Sequence, residues 1–109
     1  MEAKTPQEFF NEVLPVRFKP EKTAGIDTTI QLNVTGPHGG DWNVEIKDQK
    51  LTVQKGINPS PKLTIGVTEA DFLDIVNDKL SAQKAFFTGK IKFKGDITLA
   101  LKLRDAGFL

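Results

Sequence analysis

Gly89-Lys90-Ile91-Lys92-Phe93-Lys94-Gly95 sets apolar against basic side chains between two glycines. A period of two specifies a strand, here with Ile91 and Phe93 turned inward and three lysines on a wet face. The period changes straight afterwards. Asp96 can cap a helix in which Ile97, Leu99, Ala100, Leu101 and Leu103 form a broad apolar surface, and Gly107 can end it in a left-handed cap. On the other side, Ser81 opens a short helix carrying Ala85, Phe86 and Phe87. A strand with one dry face, flanked by apolar helices, demands that sheet and helices share one core.

Working back along the chain, Thr68-Glu69-Ala70-Asp71 is a capping box for a helix whose apolar members are Phe72, Leu73, Ile75, Val76 and then Leu80. Leu63, Ile65 and Val67 make the strand before it. Ile57-Asn58-Pro59-Ser60-Pro61 interrupts the ladder, because proline removes backbone donors. Three strands precede that break. Ile26, Thr28, Ile30, Leu32 and Val34 face one way and Asp27, Thr29, Gln31 and Asn33 the other. Trp42, Val44 and Ile46 follow the turn Gly36-Pro37-His38-Gly39-Gly40-Asp41, and Leu51 and Val53 follow the reversal Lys47-Asp48-Gln49-Lys50. Antiparallel succession is the natural reading of all three.

Thr5, Pro6 and Glu8 start a first helix with Phe9, Phe10, Val13 and Leu14 on one face. Pro15 disfavours continuation, so the helix is expected over residues 6–14, with a polar connector over 16–24. A helix that short is unstable alone and must dock. The order is α-β-β-β-β-α-α-β-α, without repeats or linkers. The expectation is a single α+β domain over residues 1–109: one five-stranded, mainly antiparallel sheet with helices on one face.

Composition narrows function. The 109 residues carry 15 basic and 14 acidic side chains, so no global field draws the chain to nucleic acid. With no cysteine there is no disulfide, thiolate nucleophile or cysteine-ligated metal, which favours a reducing compartment. Neither a signal peptide nor a membrane-length apolar run is present, and the final Gly107-Phe108-Leu109 is not a Ser-Lys-Leu address. A cytoplasmic location is expected. The single histidine, His38, lies in a glycine-rich turn and reads as a solvated turn residue rather than a general base. Asp71, Asp74 and Asp78 share a helix face by spacing and read as wet surface rather than a metal site. No cofactor is expected.

Residues 81–107 resemble the sterol carrier protein type 2 domain family. The recurring features are Gln83, then Ala85-Phe86-Phe87 before Gly89-Lys90-Ile91-Lys92, a second glycine at Gly95, and the apolar run Leu99-Ala100-Leu101-Lys102-Leu103. Trp42 opening a strand, Leu63-Thr64-Ile65 and Asp71-Phe72-Leu73 agree in order and spacing. Asp78 stands where the family commonly has glycine, and Ala82 where it has proline. The resemblance implies a hydrophobic tunnel between the layers, a lipid ligand (fatty acid, acyl-CoA, phospholipid or sterol) and no chemistry of its own. Apolar side chains by themselves fit a filled core as well as a cavity wall, and close packing is the general rule. The cavity is what the resemblance adds.

On that reading the candidate ligand contacts are Phe9, Val13, Trp42, Leu73, Val76, Leu80, Phe86, Phe87, Phe93, Ile97, Leu101 and Phe108. Gln83 is the candidate polar contact with a headgroup. The tail over 106–109 is expected to cover part of the apolar space as a gate. Residues 84–104 hold six cations against Asp96 alone. The lysines either blunt an exposed strand against pairing or draw the protein transiently to an anionic membrane surface. The alternative function is a docking or dimerisation module that seats a protein segment in the same apolar groove. Oligomeric state is not legible in the sequence.

Overall fold

The computed structural model describes residues 2–107. One helical segment, α1, runs over 6–17 as Pro6–Glu8, a π-helical turn Phe9–Val13, and Leu14–Arg17. A 3-10 turn, Pro20–Thr23, leads into β1 (Thr28–Thr35), β2 (Gly40–Lys47), β3 (Lys50–Lys55) and β4 (Leu63–Thr68). Then come α2 (Glu69–Val76), α3 (Ala82–Phe87), β5 (Ile91–Gly95) and α4 (Thr98–Asp105).

The expected stop at Pro15 does not occur. Proline inside a regular α-helix lacks a donor, and its ring collides with the carbonyl four residues back. Here the π turn widens the helix just before Pro15: Leu14 N–H donates to Phe9 O, and Pro15 then occupies the start of a fresh α-turn, where proline is tolerated. The helix therefore continues to Arg17 and buries Phe9, Phe10, Val13 and Leu14.

The five strands lie in the order β3-β2-β1-β4-β5. Three of the four pairings are antiparallel, as expected, but β1 and β4 are parallel, with Leu32 opposite Ile65. A parallel return usually needs a long crossover. This one needs only residues 56–62, because Lys55 pairs with Trp42, Trp42 with Leu32 and Leu63 with Ile30. β4 thus starts almost level with the end of β3. The connector has only to cross sideways, about 14 Å at three strand spacings.

That crossing corrects the reading of Gln31 as a wet-face residue. The connector lies over it, leaving Gln31 3% exposed. Its amide is satisfied there: Nε2 donates to Gly56 O (3.1 Å) and Asn33 Oδ1 (3.2 Å), and Oε1 accepts from Asn58 N–H (2.7 Å). A buried amide so paired avoids the cost of desolvation and holds the crossover in place.

The starts of α1, α2 and α3 are those the capping residues specify. Thr5, Thr68 and Ser81 each accept from the amide three residues on, at 3.1–3.2 Å. Asp96 Oδ1 accepts from Thr98 N–H at 3.2 Å just ahead of α4, but the N-cap position itself is Ile97, which carries no side-chain cap. The end of α2 differs from expectation. It stops at Val76, so Asp78 does not share a helix face with Asp71 and Asp74 but sits at φ 62, where a short polar side chain is tolerated and glycine is easiest. Gly107 takes its expected left-handed cap at φ +89.

Helices cover one face of the sheet, and the space between is not uniform. Towards α1 it is filled. Phe10 stacks on Trp42 (ring centroids 4.9 Å apart) and Phe72 (5.6 Å), while Phe9 meets Phe72 edge-on at 5.5 Å. All four rings are at most 3% exposed. Towards α3, α4 and β5 the interlayer opens.

Candidate functional site

Three elements shape the opening. Gly95 ends β5 at φ +107, and a Cβ there would lie 2.4 Å from Lys62 O. Only glycine lets the chain pass so close to the β4 entry and turn into α4. Asp96 N–H then donates to the same carbonyl at 2.9 Å, tying the turn to the sheet. α4 is apolar on two sides. Leu99, Leu103 and Ala106 face the core and are buried, while Ile97, Ala100, Leu101 and Arg104, spaced i, i+3, i+4 and i+7, face the opening. In α3, Ala85 is the core residue, and Ala82, Gln83, Phe86 and Phe87 face outward onto the same space.

The result is a groove of about 480 Å³ lined by Ala82, Gln83, Phe86, Phe87, Phe93, Ile97, Thr98, Ala100, Leu101 and Arg104. Its volume falls in the range of small-molecule sites, ~300–1,000 Å³. Phe86 and Phe93 are in ring contact at 5.4 Å, but the cluster is not closed. Phe87 is 75% exposed, Leu101 61%, Ile97 49% and Phe86 41%. A contiguous apolar surface of this kind on a small domain marks a binding surface.

The structure divides the candidate contacts. Gln83, Phe86, Phe87, Phe93, Ile97 and Leu101 come together around the groove. Phe9, Val13, Trp42 and Val76 do not; they are 0–3% exposed in the filled core. Leu73 and Leu80 are half-buried against that core, outside the groove. Phe108, and with it the end of the proposed gate, lies outside the described residues; Ala106 is buried and Gly107 sits against Arg17 O. The sequence reading missed Ala82, Thr98, Ala100 and Arg104 as lining residues. Three of them were legible from the helical spacing around Ile97 and Leu101, had the two sides of α4 been separated.

Apart from Arg104, the charged groups lie outside the groove. Lys92 and Lys94 are exposed on β5, and Lys90 precedes the strand. Among the described residues no three His, Cys, Asp or Glu side chains converge as a metal site would require. His38 is exposed in its turn but not isolated: its N–H donates to Glu69 Oε2 (2.8 Å), and its Nδ1 lies 3.0 Å from Glu69 Oε1. The His38 amide hydrogen bond holds the Glu69 carboxyl below its ordinary 4.5; partial burial opposes this and the His38 ring reinforces it. A depressed folded-state value means stability gained above the unfolded pKa and lost as pH falls through the folded one. The thermal midpoint of the native protein is therefore expected to exceed that of Glu69→Gln above pH 4.5, with the gap closing on further acidification. A gap that persists or grows in acid contradicts this assignment.

No helix among the described residues is long and apolar enough to cross a membrane. The family model described as SCP-2 sterol transfer matches residues 10–106. Human sterol carrier protein 2 is 36% identical over 72 residues, covering 64% of this chain and 13% of that protein. The chain spans only 10–23% of the length of such curated relatives, among them a zebrafish (Danio rerio) hydroxysteroid dehydrogenase-like protein 2, 29% identical over 97 residues. Among solved structures, a double mutant of a sec-alkyl sulfatase superposes with a TM-score of 0.85 at 26% identity, covering 95% of this chain and 16% of the enzyme. Sterol carrier protein 2 like 2 from Aedes aegypti superposes at 0.73 with 30% identity, covering 91% of this chain and 94% of that one. A palmitated form of the same mosquito protein gives 0.66 at 29% identity.

Proposed function

The chain belongs to the SCP-2 sterol transfer family, and from that premise we propose that it binds and transfers lipid, holding one long apolar chain in the groove between α3, α4 and β5. It does so as a single domain over residues 1–109, in the cytoplasm and without catalysis. The observation that carries this reading is the open aromatic cluster: Phe86, Phe87, Ile97 and Leu101 remain exposed around a groove of about 480 Å³ while Phe9, Phe10, Trp42 and Phe72 are closed. Each methylene that such a surface takes out of water contributes ~0.8 kcal/mol. An alkyl chain is then held by area alone, which tolerates many chain types. The groove lining contains no carboxylate, histidine or other general base. The palmitated mosquito relative supports a fatty acyl occupant.

The second reading keeps the groove and changes the guest. The same exposed surface can seat a protein segment or a second copy, and the enzyme relatives, of which this chain covers a small part, favour a domain that works beside a catalytic one. Native mass spectrometry of the freshly purified protein separates the two. A monomer carrying one lipid-sized mass, displaceable by added palmitate, is the expected result. A ligand-free dimer that ignores palmitate favours the second reading and ends the first.

A further inference from the structure

Seven of the ten residues around the groove are apolar, and one is charged. That one, Arg104, stands alone. The described residues contain two side-chain ion pairs, His38–Glu69 and Lys79–Glu2, and neither involves it; its guanidinium has no hydrogen-bond partner among the described residues. Asp105 is adjacent in sequence and so does not share its helix face. Of the other two polar groups in the groove, Thr98 is engaged with Asp96 through its hydroxyl, whereas the Gln83 side-chain amide bonds nothing among the described residues. The groove thus presents one unpaired planar cation and one unpaired amide, contributed by facing helices. The surrounding charge has the same sign, since residues 84–104 hold six cations and one acid.

We propose, resting on the lipid-chain reading, that Arg104 and Gln83 form the head end of this groove. The preferred occupant is then an amphiphile whose alkyl chain ends in an oxyanion, with the chain laid along Phe86, Phe93 and Leu101. The guanidinium fork matches the two oxygens of a carboxylate and keeps its charge at any physiological pH. The amide adds a hydrogen bond that ranks anionic heads without excluding neutral ones. Binding by area sets the affinity for the chain, and Arg104 sets its direction.

Palmitate and methyl palmitate isolate the head, because the two share a chain and differ in charge. Each is to be measured by displacement of a fluorescent fatty acid at low salt. The native protein is expected to favour palmitate by about three- to tenfold, the range for a charge-assisted contact at a partly solvated site. Arg104→Gln brings the ratio to about one by weakening palmitate alone, and Arg104→Lys retains part of it. Equal affinities in the native protein, or a preference that survives Arg104→Gln, overturn the assignment and leave the lipid-chain reading standing. Failure of both probes to bind the native protein overturns both. Vesicles of phosphatidylcholine with phosphatidylserine test the other source of the same chemistry. If Arg104→Gln weakens vesicle binding but not the palmitate preference, the oxyanion is a membrane headgroup and the groove assignment falls.

Discussion

Phe9→Ala is expected to destabilise the fold by about 3–5 kcal/mol, the range for removing a fully buried aromatic ring, while leaving palmitate affinity of the folded protein unchanged. Phe9 is 0% exposed and touches Phe10, Phe72 and the Arg17 guanidinium, so nothing collapses readily into the space it would vacate. Domains of this size have only about 5–15 kcal/mol to lose. Urea unfolding measures the first effect and fluorescent displacement in mild buffer the second. The pair of readouts matters more than either one. A strong loss of affinity in folded Phe9→Ala protein would mean that the apolar space reaches past α3 into the aromatic cluster at α1.

Leu101→Asp is expected to do the reverse. Leu101 is 61% exposed on the groove face of α4, so folding buries little of it and stability should move by no more than about 0.5 kcal/mol. A bound chain, however, would have to desolvate the new carboxylate and lose the leucine contact. Palmitate affinity should fall about tenfold or more, since each tenfold corresponds to about 1.4 kcal/mol and burying a leucine side chain is worth ~1.5–3. The new charge also sits three residues from Arg104, on the same face, and so repels an anionic head. Unaltered palmitate binding by this variant would remove the groove from consideration as the chain site. The two substitutions therefore assign opposite roles to two clusters that look alike in sequence.

That likeness marks where local reading stopped. The starts of α1, α2 and α3 were legible because a cap is a contact between a side chain and an amide three residues away, as Thr5, Thr68 and Ser81 show. Strand faces were legible for the same reason: Ile91, Ile65 and Val44 are buried where a period of two places them. The misreadings have one common cause. Pro15 reads as a stop because the five-residue turn that accommodates it has no local code. Gln31 reads as wet because the residues that cover it come from 25 or more positions away.

The candidate site divides along the same line. Gln83, Phe86, Phe87, Phe93, Ile97 and Leu101 belong to the contiguous segment that also carries the family resemblance, and they meet in one groove. Phe9, Val13, Trp42 and Val76 have equally apolar side chains, but the parallel pairing of β1 with β4 and the unbroken α1 bury them away from the groove, Val13 and Val76 beside a separate, more polar pocket with Arg17 and Asn77.

From the order of residues alone came an α+β chain, its helix caps, the inward face of each strand and the list of greasy side chains. Hydrophobicity is a property of each side chain, so the sequence can state it. Whether a greasy side chain packs or lines depends on what stands opposite, and only the assembled layers decided that Phe10 meets Trp42 while Phe87 meets solvent. The guanidinium of Arg104, unpaired among the described residues, is of the same kind, since a missing partner shows only once its surroundings are assembled.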